Sequence, residues 1–184
     1  MEEGFEVIAF ACRGTLVDWA GAVRTVVYEQ ARRNGESPLD RGAQLCRRVQ
    51  HLADGHGLAL GFERLARERG YREESGDESL ARVVALARPL PGARELVALA
   101  ARSVDRLVAI SRGESPGALH LFGAPFEAVL GELDADALDV APERVLYVSA
   151  AAWRREEASA LGYGAVAPAG LAAALTPRPS MLAA

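Results

Sequence analysis

The sequence predicts an α/β fold, a Rossmann-like doubly wound parallel sheet with an inserted helical cap. Three observations predict it. Five short segments are almost continuously apolar and do not alternate, the pattern of strands buried on both faces. Amphipathic helical stretches separate the later segments, as the crossovers of a parallel sheet require. A region rich in helical periodicity, with no convincing strand, separates the first segment from the second.

Taken in order, "FEVIAFA" (5–11) reads as the first strand, and Gly14-Thr15-Leu16 as a tight turn in which glycine allows backbone conformations closed to other residues. Helical patterns follow in "AGAVRTVVYEQARRNG", "RGAQLCRRVQHLADG", "LGFERLARERG" and "ESLARVVALAR", and "RPLPG" ends them with two prolines. The polar stretch 72–79, "REESGDES", reads as a solvated loop. Residues 92–102 place Leu96, Val97, Leu99 and Ala100 on one helical face. "RLVAIS" (106–111) is the second strand, and Ser115-Pro116 opens a helix with an N-cap and a first-position proline. "FEAVLG" (126–131), "RVLYVS" (144–149) and "YGAVA" (163–167) supply the remaining strands, with a helix in "AAWRREEASALG" that stops at Gly162. The tail "TPRPSMLAA" reads as a frayed terminus. The expected division is residues 1–18 and 89–184 for the Rossmann-like core and 19–88 for the cap, which would overhang the carboxyl ends of the strands, where such sheets bind ligands.

Composition narrows the function. At 184 residues, half of them hydrophobic and a quarter charged, the chain suits one core with an inserted subdomain and is not disordered. No apolar run approaches the roughly 20 residues of a membrane span, and the acidic start "MEEGFE" is unlike a signal peptide, so a cytoplasmic protein is expected. A net charge of −4 argues against nucleic-acid and membrane-surface partners and leaves small molecules or proteins. Cys12 and Cys46 have neither CxxC spacing nor a histidine cluster, so no disulfide framework or zinc site is indicated. The chain contains no lysine: its 21 Lys and Arg residues are all arginine, which excludes any lysine-dependent mechanism.

The layout of strand, Gly-Thr-Leu turn, helical cap and a second strand ending in serine resembles the haloacid dehalogenase superfamily, and the 2-haloacid dehalogenases most of all. "FACRGTLVDW" matches the first motif, "VAISRGE" the second, and "PERVLYVSAAAWRREEASALGYGAVA" the last strand, loop and helix. The resemblance implies an aspartate nucleophile in the first motif, a serine or threonine in the second, a lysine in the third, and carboxylates or amides in the fourth, with Mg²⁺ added in the phosphatases. Here the nucleophile position is Ala11, and a methyl group attacks nothing; removing a covalent nucleophile costs on the order of a millionfold in rate. Arg13 stands where the phosphatases carry a general acid, and guanidinium stays charged. Ser111 keeps the anion-binding hydroxyl position, followed by Arg112. The third motif is missing, because "ELDADALDVAPERV" is too short for its loop and helix. The fourth keeps Ser149 and Trp153 but has Ala151 and Arg154 in place of an amide and an aspartate. A guanidinium ~6 Å from a dication, at an effective dielectric of ~20, opposes it by roughly 5 kcal/mol. No metal and no other cofactor is therefore expected.

The expected ligand set is Arg13, Ser111, Arg112, Ser149 and Arg154, with Arg47 reaching in from the cap, and the expected occupant is a small organic anion or metabolite. Strand alternation turns Cys12 away from the site if Ala11 faces it, which favours a packed thiol. His51, His56 and His120 show no evident pairing with the serines. Asp134, Asp136 and Asp139 lack the glycine and distal glutamate of a calcium loop and read as turn and helix-start acids. The leading expectation is a non-hydrolytic binding or partner protein. The alternative is a repurposed, metal-independent enzyme that acts on a small metabolite by acid–base or addition/elimination chemistry, with His51 and Arg47 as candidates. A homodimer or another protein partner is a further alternative, because the shortened crossover near 131–140 should uncover part of one sheet face.

Overall fold

The computed structural model describes residues 4–53, 57–72, 75–111, 116–123 and 126–176. The chain packs as two compact units. One comprises Met1–Leu16, Leu90–Ile110 and Phe122–Ala184, and the other Val17–Pro89 together with Ser111–Leu121. By this division Ser111 and the described residues 116–121 group with the helical unit.

The first unit is built on five parallel strands in the order β3-β2-β1-β4-β5: β1 Val7–Ala11, β2 Arg106–Ile110, β3 Ala128–Leu130, β4 Val145–Val148 and β5 Gly164–Val166. β1 is central, with Ala11 opposite Ile110 on one side and Phe10 opposite Val148 on the other. All five of its residues are sealed at 0 % exposure, which explains the continuous apolar run. On one face Val7, Ala9, Ala11, Val108, Ile110, Val145 and Tyr147 form a core with Leu138, Ala158 and Tyr163. Ala158 comes from α7 (Ala152–Ala160) and Leu138 from the one-turn α6 (Ala135–Leu138). Helix α5 (Ala93–Ser103) buries Val97 and Ala100 and contacts β2 and α8 (Leu171–Leu175).

The short crossover does not have the consequence expected of it. Val7, Ala9, Val108 and Val145 are each 0 % exposed, because Leu138, Ala158 and Tyr163 fill the space over them. Val129 on the edge strand β3 is exposed instead. Asp134 starts α6 by accepting the Asp136 and Ala137 N–H groups on Oδ1, and Asp139 ends it in the left-handed conformation at φ 51. Residues Pro116–Phe122 form a 3-10 helix and not the α-helix expected, consistent with glycine directly after the opening proline; Ser115 lies outside the described residues.

The second unit contains α1 (Trp19–Arg33), α2 (Pro38–Ala53), α3 (Leu58–Arg69) and α4 (Gly76–Leu86). Buried residues recur at helical spacing, as with Val23, Val26, Val27 and Gln30 on α1, so each helix turns one stripe inward. Asp18 Oδ1 accepts the Gly21 N–H at 2.8 Å and caps α1. α4 begins earlier than its apolar periodicity suggests. Ser75 and Glu78 form a reciprocal capping box, so part of the stretch read as a loop is a helix start. Gly76 permits close packing of α4 on α3: a Cβ there would sit 2.1 Å from the Ala59 carbonyl oxygen. Gln30 Nε2 donates to Ser79 Oγ at 2.8 Å, a buried polar link between α1 and α4. The strand-like ends of this unit pair with each other, since the Asp18 N–H donates to Arg88 O at 2.9 Å and Val17 bridges Pro89. In the sheet unit the Leu90 N–H likewise donates to Leu16 O at 2.9 Å. Among the described residues no helix is long and apolar enough to cross a membrane.

Candidate functional site

In the sheet unit β2 lies on one side of β1 and β4 on the other, so the strand order reverses there and the ligand crevice of such sheets falls outside the carboxyl ends of β1 and β4. After β1 the ladder extends one more bond, Cys12 N–H to Ile110 O at 3.0 Å. The chain then turns, with Gly14 at φ 71 and the Leu16 N–H donating back to Cys12 O at 3.0 Å. The turn aims Thr15 at the loop after β4, where Thr15 Oγ1 accepts the Ala150 N–H at 3.0 Å. In that loop the Ser149 N–H donates to Val166 O, and Ser149 Oγ accepts the Ala151 N–H at 3.3 Å. Arg155 folds back from α7 and donates from Nη1 to the carbonyls of Ser149 (2.7 Å) and Ala150 (2.9 Å). The result is a hydrogen-bonded knot joining the two strand ends.

The expected site residues distribute unevenly around this knot. Ala11 closes β1 at 0 % exposure, and Ser149 follows β4 at 1 %. Arg13 is exposed in the turn after β1. Arg154, half-buried on α7, lays its guanidinium over the exposed Trp153 ring at 5.1 Å. Ser111 lies just beyond β2, is 8 % exposed, and belongs with the helical unit. Arg47 is exposed on α2 of that unit, and Arg112 lies outside the described residues. The geometry joins the Ser149–Ala150 loop to two residues absent from the expected set, Thr15 and Arg155. Thr15 stood in the first motif but was read only as part of a turn. Arg155 carried no local signal in a chain whose every basic side chain is arginine.

The thiols are packed. Cys12 is 3 % exposed, and burial pushes the Cys46 thiol above its ordinary value although Arg24 pulls it down. That burial disfavours the Cys46 thiolate. His51 and His120 are exposed, and His56 lies outside the described residues. The donor set at the ends of β1 and β4 does not fit the Mg²⁺ that phosphatases of this fold use, because residues 11–16 and 149–153 contain no carboxylate. The two hydroxyl oxygens there already accept backbone N–H groups, and Arg13 adds positive charge.

No family model matches the chain, and no curated protein matches it in sequence. Solved structures do. A defluorinating L-2-haloacid dehalogenase superposes with a TM-score of 0.68 at 17% identity, over 88% of this chain and 80% of its own. An L-2-haloacid dehalogenase from Xanthobacter autotrophicus gives 0.64 at 16% identity, over 88% and 76%. CbbY from Rhodobacter sphaeroides, in complex with phosphate, gives 0.59 at 19% identity, over 89% and 85%. The chain has the haloacid dehalogenase fold. Its first strand, β1, closes on Ala11.

Proposed function

We propose that this haloacid dehalogenase-like chain performs no hydrolysis by the mechanism of its structural relatives and acts as a binding protein for a small organic anion at the carboxyl ends of β1 and β4. One observation carries the reading: the first-motif strand ends in a methyl group at 0 % exposure, with no carboxylate in the turn after it. Thr15 and Ser149 serve the backbone of the two loops, and Arg13, exposed in the turn after β1, places a guanidinium beside the switch point. A guanidinium there recognises a carboxylate or phosphate through paired N–H groups. Arg154, stacked on Trp153, adds a second cation at the start of α7.

The test is turnover of 2-chloropropionate without metal and of p-nitrophenyl phosphate with Mg²⁺, alongside binding of inorganic phosphate and 2-chloropropionate followed by calorimetry. No turnover is expected, with binding that weakens on Arg13→Ala. Robust Mg²⁺-dependent phosphatase activity in the unmodified protein overturns the proposal, as does anion binding indifferent to Arg13→Ala.

A further inference from the structure

We draw no further inference here: the strongest candidate, the open edge of strand β3 with its exposed Val129, is three residues long, and nothing in the structure shows what covers it.

Discussion

The ends of β1 and β4 and the packing of α1 against α4 treat buried polar groups in opposite ways. At the strand ends Thr15 Oγ1, Ser149 Oγ and the carbonyls of Ser149 and Ala150 are all engaged within the protein. In the helical unit Gln30 donates from Nε2 to Ser79 Oγ while its Oε1 is buried without a partner. A site whose polar groups already satisfy one another has little left to offer a reacting molecule, whereas a buried atom left unpaired is a cost that the helix packing carries.

The contrast breaks most visibly if the sealed strand end is made polar. Ala11→Asp puts a carboxylate where the side chain has 0 % exposure, and a loss of roughly 3 kcal/mol or more is expected in urea denaturation at pH 7. Burial raises the folded-state pKa of that aspartate, so the protein binds its proton more tightly when folded. The destabilisation should therefore shrink as pH falls toward the ordinary aspartate value and grow as pH rises through the folded-state one. A variant as stable as the parent at pH 7 would show that the strand end already accommodates charge. Arg155→Met should cost about 1–3 kcal/mol by releasing two carbonyls, with Arg155→Lys recovering part of it. Thr15→Val, which leaves the Ala150 N–H without its acceptor, should cost about 1–2 kcal/mol, and Thr15→Ser should restore most of that. On the helical side Ser75→Ala should cost about 1 kcal/mol through loss of the capping box, with the helical signal of α4 reduced. The smallest effect concerns an exposed pair. The Arg48 hydrogen bonds hold the Glu68 carboxyl below its ordinary value, so the stabilisation exists above that value and is lost as pH falls through the depressed one. Arg48→Gln should return the Glu68 titration, followed by NMR, to the ordinary carboxylate range.

Strand β1 was readable from the sequence because burial on both faces removes polar residues from a stretch of chain, and that imprint is local. The start of α4 was readable too, in the Ser75-x-x-Glu78 spacing, but the surrounding acidic and small residues disguised it as a loop. The methyl group that closes β1 at Ala11 could be read from a single position. The bond from Thr15 to Ala150 could not, because it joins residues 135 positions apart and neither loop announces the other. The Gln30–Ser79 pair, 49 positions apart, is equally silent. Arg155 was hidden by abundance, as one arginine among 21 with nothing local to single it out. Periodicity reports which face of an element is dry, and it does not report which polar atoms meet across the fold.

The paired chain ends at the boundary of the helical unit make it a cassette. Leu16 and Leu90 are hydrogen-bonded in the sheet unit, and Asp18 and Arg88 in the helical one. Each unit could therefore be resealed with a short turn, at a loop-closure cost that grows only slowly with length. Such an excision yields two separate proteins from one gene: a parallel sheet that keeps α5–α8 against it, and a module of the four helices α1–α4.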